Sequence, residues 1–168
     1  MLSASLLLPV ACGDAGPKGP PTIRLGRDEC VECGMMINED RCSAASIVEG
    51  EEGREYRLFD DIGCLLDWER DHAEEAVEIR FVRDYGTRVW CDASVAGFLD
   101  GAEVRTPMAS GLLGFTDAVV AEAARANHGG QVLSWDELQA ARLAWLARRD
   151  AAYRSIPDTD GTRPASEE

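Results

Sequence analysis

Residues 41–60 read R-C-S-A-A-S-I-V-E-G-E-E-G-R-E-Y-R-L-F-D, and residues 61–72 continue D-I-G-C-L-L-D-W-E-R-D-H. Both ends of the first stretch carry β-branched and aromatic residues, while the charged, Gly-containing E-E-G-R between them has the character of a hairpin loop. Two strands are therefore expected. In the second stretch Asp60 or Asp61 supplies a helix N-cap, and Ile62, Leu65 and Leu66 with Trp68 or Glu69 recur at helical spacing. V-E-I-R-F-V at 77–82 then alternates apolar and polar residues, the pattern of a strand with one buried face. The order is strand, strand, helix, strand.

The same order is read downstream. R-V-W-C-D-A at 88–93 and the segment 95–99 have strand character, and T-P-M-A-S-G-L-L-G-F at 106–115 follows with a turn at Ser110-Gly111. Thr116 is placed to cap the alanine-rich helix T-D-A-V-V-A-E-A-A-R-A-N-H, which Gly129-Gly130 stops. Q-V-L-S-W gives a last short strand. The expected fold is α+β: two tandem small ββαβ-type units, 27–84 and 85–138, forming a compact body. A C-terminal helix over 139–154 follows, with Leu138, Ala141, Trp145 and Leu146 or Arg149 toward one side. The tail 155–168, S-I-P-D-T-D-G-T-R-P-A-S-E-E, has the composition of a disordered segment.

Upstream, M-L-S-A-S-L-L-L-P-V-A runs into Cys12. An apolar run ending in small residues and a cysteine has the form of a bacterial lipoprotein signal (1–12), in which Cys12 becomes the acylated first residue. No Lys or Arg precedes the run, and Pro9 stands where leucine is usual; a start upstream of Met1 would supply the basic residues. G-D-A-G-P-K-G-P-P-T then suits a flexible tether, 13–26. The alternative for the apolar run is an arm packed on the domain. No stretch of about 18 apolar residues offers a membrane-spanning helix. The formal net charge of −14 repels phosphate backbones and argues against a nucleic-acid partner.

The chemistry concentrates in C-V-E-C-G-M-M at 30–36. Thiolate and thioether are soft ligands and select copper(I). C-x-x-C places two sulfurs on one turn, Gly34 lets the chain bend, and Met35 or Met36 can add a thioether. Zinc is weaker, because a second C-x-x-C or an H-x-x-x-H is absent. A thioredoxin-like pair would open a helix after a strand, whereas this one precedes an Asn-Glu-Asp turn. A structural Cys30–Cys33 disulfide is the remaining alternative. Besides Cys12 there are five cysteines, an odd number that leaves at least one thiol unpaired. Cys64 reads as a small core residue; Cys42 and Cys91 read as core residues or as a disulfide pair. Asp60 and Asp61 read as capping residues and not as a catalytic pair, and His72 and His128 as residues of helix ends. No Ser-His-Asp context, phosphate loop or H-E-x-x-H is present, so nothing points to an enzyme.

C-G-M at 33–35, F-D-D-I-G-C-L-L at 59–66, T-P-M-A-S-G at 106–111 and N-H-G-G-Q-V-L at 127–133 occur in that order. In this combination the chain resembles the NosL family, copper-binding lipoproteins that accompany nitrous oxide reductase. The resemblance covers roughly 27–138. It implies one bound copper(I) and a chaperone role, taking copper from a membrane transporter and delivering it to an apo-enzyme such as nitrous oxide reductase. It also implies a lipid-anchored, periplasmic location and a fold of two small ββαβ-type domains. The family's thiolate ligand falls on Cys33 and its thioether ligand on Met108, which places copper between the two units. Cys30 and Met35 stay open as the third ligand. The competing readings are a thiol–disulfide protein using Cys30 and Cys33, and a structural lipoprotein without metal.

Overall fold

Ala44, Ser46 and Val48 face one side of strand β1 (Ala44–Gly50) and Ala45 and Ile47 the other; all five are buried. A strand covered on both faces must be central, and in the computed structural model, which describes residues 16–155 except 52, β1 lies in the middle of a four-stranded antiparallel sheet. It pairs with β2 (Gly53–Phe59) through Ala44↔Phe59 and Ile47↔Tyr56, and with β3 (Val77–Arg83) through Ala44↔Val82 and Ile47↔Ile79. A fourth strand, β4 (Trp90–Asp92), adds to β3, giving the order β2-β1-β3-β4. On one face Ala44, Val48, Phe59 and Val82 pack against helix α1 (Ile62–Asp71) through Leu65 and Trp68. On the other, Ala45, Ile47 and Phe81 join Tyr56 and Trp90. The Tyr56 hydroxyl and the Trp90 ring N–H donate to the carbonyls of Gly19 and Pro21, so residues 19–21 lie along that face.

The second unit repeats the connectivity. β5 (Gly97–Asp100) is flanked by β6 (Leu113–Phe115) and β7 (Gln131–Leu133) in a three-stranded antiparallel sheet of order β6-β5-β7, with helix α2 (Ala118–His128) between β6 and β7. This is the arrangement of β2-β1-β3 with α1, so the mixed fold of two ββαβ-type units and a C-terminal helix stands. The assignment of strands differs in one respect. The strand read at 88–93 belongs to the first sheet as β4, and the partner of β5 is L-G-F at 113–115. That strand is too short for alternation to show, and its Gly114 hides it further. A Cβ on Gly114 would sit 2.9 Å from the Arg83 carbonyl, so glycine is what lets β6 abut β3.

Asp84 ties the sheets together. Its carboxylate accepts from the backbone N–H groups of Gly86, Thr87 and Thr116, and Tyr85 N–H donates to the Gly114 carbonyl. These donors hold its carboxyl below the usual range, against the opposing effect of burial, which is the largest single contribution. Phe98, Leu112, Leu133, Trp135 and Leu138 from the second half share one apolar cluster with Phe59, Leu65 and Trp68 from the first.

Asp117, not Thr116, caps α2: its side chain accepts from the N–H groups of Val119 and Val120. The last helix, α3, begins earlier than expected and runs Trp135–Ser155. It buries Trp135, Leu138 and Leu146, and Arg142 forms a two-pronged ion pair with Asp67 of α1 at 2.9 and 2.6 Å. Trp145 stays out of the core, between the guanidinium groups of Arg142 and Arg149. The expected signal, its Cys12 and the tail from 156 lie outside the described residues.

Candidate metal centre

The C-x-x-C segment is a closed turn. Cys30 N–H donates to the Met35 carbonyl (2.8 Å), Gly34 N–H donates to the Cys30 carbonyl (2.9 Å), and Gly34 takes φ +71°, a left-handed value that favours glycine. Val31 N–H reaches the Leu58 carbonyl at the end of β2, which docks the turn beside the start of α1. Asp61 caps α1, accepting from Gly63 N–H at 2.7 Å. Asp60, the residue before the cap, and Cys64, in the first helical turn, thereby point to the same place. Cys30 Sγ, Cys33 Sγ, Cys64 Sγ and an Asp60 carboxylate oxygen all lie within 4.8 Å of one another.

Two readings of the sequence are corrected here. Cys64 is not merely a core filler but a member of the thiol cluster. Asp60 does not cap the helix; it is 3% exposed and its two oxygens stand 3.7 and 3.8 Å from Cys33 Sγ. Asp60 precedes the extended cap Asp61 and lies outside the helical repeat, so no helical spacing in the sequence pairs it with Cys64. With them the cluster has the four donors that the spacing of the cysteines alone did not reveal.

The three thiols are not equivalent. Cys30 is 1% and Cys64 4% exposed, whereas Cys33 is half-buried. Interaction with the Cys64 thiol lowers the Cys30 thiol to about 7, against the opposing effect of burial, and the same interaction together with burial pushes Cys64 far above a normal thiol. Burial pushes Cys33 up to about 11. No disulfide joins the five described cysteines. Cys42 lies in the apolar cluster of the second sheet, where burial raises its thiol to about 12, and Cys91 points its S–H at the Val89 carbonyl.

Met108 comes from the other unit. It sits in T-P-M-A-S-G, a loop fixed by Thr106, whose hydroxyl meets Ser110 Oγ at 3.2 Å and accepts from Gly111 N–H. Ala109, the next residue, is held at φ +55°, a strained value for a residue with a Cβ. Met108 N–H donates to Asp61 Oδ2 at 3.0 Å, so one carboxylate both caps α1 and anchors the loop. The approach is close: a Cβ on Gly63 would sit 2.8 Å from Ser110 Cβ. Met35, Met36 and Met108 are 45%, 51% and 42% exposed, unusual for a side chain that normally fills cores. Met35 and Met36 line an open cavity of about 660 Å³ that reaches Asp60 and is walled by Tyr85, Arg105 and Thr106.

His72 and His128 stay outside the cluster. His72 caps α1 and stacks on Trp68, and His128 ends α2 with its ring edge-on to Tyr85.

Comparison with known proteins bears on the family and the fold. The sequence model of the NosL family matches residues 23–143. The copper-binding lipoprotein NosL of Stutzerimonas stutzeri is 28% identical over 125 residues, which cover 69% of this chain and 64% of that protein, so the chain spans somewhat less than two thirds of this relative. The crystal structure of the copper chaperone NosL from Shewanella denitrificans superposes with a TM-score of 0.62 at 21% identity, covering 72% of this chain and 96% of that one. This chain belongs to the NosL family.

Proposed function

We propose that this protein is a copper(I) metallochaperone. The observation that carries the reading is the group of three cysteine sulfurs and one carboxylate oxygen within 4.8 Å, beside a loop that holds an exposed methionine. With metal–thiolate bonds of about 2.3 Å, three sulfurs around a trigonal ion stand about 4.0 Å apart, which the cluster reaches by small side-chain rotations. Donor softness favours copper(I) over harder ions: three thiols face a single oxygen, and further thioethers stand nearby. The two relatives, a copper-binding lipoprotein and a copper chaperone, support the same reading.

Cys33 is the central ligand, with Cys30 and Cys64 behind it and Met108 closing the site from the second unit; Met35 is the alternative thioether. Binding displaces the thiol protons, since only thiolate ligates strongly. Release proceeds by ligand exchange. Cys33 and Met108 are the accessible donors, so an incoming soft ligand of a partner replaces them first while Cys30 and Cys64 keep hold. The chain accepts copper(I) from a membrane transporter and gives it to an extracytoplasmic apo-enzyme such as nitrous oxide reductase. It is anchored through acylated Cys12 on the periplasmic side of the membrane and itself catalyses no reaction.

Competition against a copper(I) chelator tests the assignment. Wild type should bind one equivalent, with severe weakening in Cys33→Ser and clear weakening in Cys30→Ser, Cys64→Ser and Met108→Leu. Wild-type affinity in Met108→Leu removes Met108 from the site; no stoichiometric binding by wild type removes the function.

A further inference from the structure

The cluster holds more thiols than an exchangeable copper(I) site needs, and they are arranged in depth. Cys30 and Cys64 are almost fully covered, while Cys33 is half-buried with its sulfur within 4.8 Å of both. We propose that Cys30 and Cys64 form an internal dithiol redox site, converted to a disulfide by exchange with an external disulfide that enters at Cys33. The proposal rests on the copper reading only for its consequence, since the pair is defined by geometry alone.

The two covered thiols are presented by separate, fixed elements. Cys30 is held by the turn that its own N–H and carbonyl close with Met35 and Gly34, and Cys64 by the first turn of α1, where its N–H donates to the Asp61 carbonyl at 3.0 Å. The two sulfurs lie within 4.8 Å of each other, and the bond needs about 2.0 Å. Cys42 lies in the apolar cluster of the second sheet, and Cys91, from β4, meets the Val89 carbonyl with its sulfur; neither belongs to the group of sulfurs within 4.8 Å.

The steps balance as thiol–disulfide exchange. Cys33 attacks an external disulfide R–S–S–R as its proton passes to the expelled R–S⁻, forming a Cys33–S–S–R bond. Cys30 attacks Cys33 Sγ, forming a Cys30–Cys33 disulfide and expelling the second R–S⁻, which takes up the Cys30 proton. Cys64 then attacks Cys30 Sγ as its proton passes to the expelled Cys33 sulfur, forming Cys30–Cys64 and returning Cys33 as thiol. Two protein thiols are oxidised by two electrons and one external disulfide is reduced to two thiols, which take up the two protons released. The oxidant class is a low-molecular-weight or protein disulfide, as found in an oxidising compartment.

The last step determines the effect on the metal. It buries the disulfide and leaves Cys33 as the one thiol of the cluster, beside the thioethers, so oxidation loosens copper(I). Bound copper conversely occupies the attacking sulfurs and blocks oxidation. Metal and disulfide exclude each other.

The test uses the full chain with Cys12→Ser, metal-free, equilibrated over a range of reduced-to-oxidised glutathione ratios. It is then denatured, its thiols are capped with maleimide, and the product is analysed by intact mass and peptide mapping. The expected result is loss of two of the five thiols, with Cys30 and Cys64 cross-linked. Cys33→Ser should slow this about tenfold or more without changing the product. Copper(I)-loaded chain should keep all five thiols, and the oxidised chain should bind copper(I) on the order of 100-fold more weakly than the reduced one. A final Cys30–Cys33 disulfide, five capped thiols at every ratio, or equal copper affinity of both forms overturns the proposal. Failure of the reduced chain to bind copper(I) instead refutes the copper reading, and because the thiol count is made without metal, the two failures are distinguishable.

Discussion

Replacing Asp61 by asparagine separates the two functions that one carboxylate performs. Asp61 Oδ1 accepts from Gly63 N–H and Oδ2 accepts from Met108 N–H, 2.7 and 3.0 Å away, in a fully buried position. An amide of the same shape has one acceptor and one donor, so whichever way it faces it can serve only one of these N–H groups. The lost bond is to a charged acceptor and has a net value of about 1.5–3 kcal/mol. At about 2–4 °C per kcal/mol for a domain of this size, the melting temperature should fall by about 3–12 °C. Alanine removes the helix cap as well, for about a further 1 kcal/mol. The copper assay carries the sharper result. If Asp61 acts on the metal by anchoring the Met108 loop, Asp61→Asn should weaken copper(I) binding, and adding Met108→Leu should weaken it no further, because both changes remove the same contribution. Additive losses, or unchanged affinity in Asp61→Asn while Met108→Leu binds weakly, would refute this role of the anchor even if the melting temperature falls as expected.

Gly63→Ala should report on the same approach. Alanine improves helix propensity by about 1 kcal/mol, but its Cβ meets Ser110, and overpacking costs about 1–3 kcal/mol, so differential scanning calorimetry should show no gain and copper competition a loss. Asp60→Asn should lower affinity for zinc(II) far more than for copper(I), because it removes the one hard donor of the cluster; equal losses in metal competition would contradict the soft-site assignment. Copper(I) affinity should rise with pH between about 7 and 11, as the Cys33 proton, held up to about 11, becomes easier to displace; a flat profile would contradict thiolate ligation by Cys33. The Cys42 thiol is raised from 9.0 to about 12, so above pH 9 the unfolded chain binds fewer protons and stability falls by about 1.4 kcal/mol per pH unit. Cys42→Ala should flatten that alkaline limb in urea titrations, and an unchanged slope would contradict the burial argument.

The first ββαβ unit was legible because its signals are local and long. Seven-residue strands, a charged hairpin loop and an aspartate before a helical run each imply one structure, and β1, β2, α1 and β3 follow. The second unit was legible in outline only. Strands of three residues such as β4, β6 and β7 cannot display alternation, and their pairing is decided by contacts distant in sequence, such as Gly114 against Arg83. The site divided in the same way. Cys30 and Cys33 stood out by spacing, and motif order pointed to Met108. Asp60 and Cys64 were read as cap and core, because each role is common for its residue type. Only the docking of the Cys30–Met35 turn on the end of β2 shows that they face the same sulfur.

β4 has a consequence for how the two halves can exist apart. It is encoded after the first ββαβ unit yet completes that unit's sheet by covering the outer edge of β3. A fragment ending near residue 86 would leave β3 as a bare edge, its unpaired N–H and C=O groups offered to any neighbouring chain. The complementary fragment would carry a strand with nothing to pair to. The chain is thus interlaced: neither half can be expressed, inherited or exchanged alone without becoming sticky, and mixing the two fragments should restore a soluble particle that neither gives by itself.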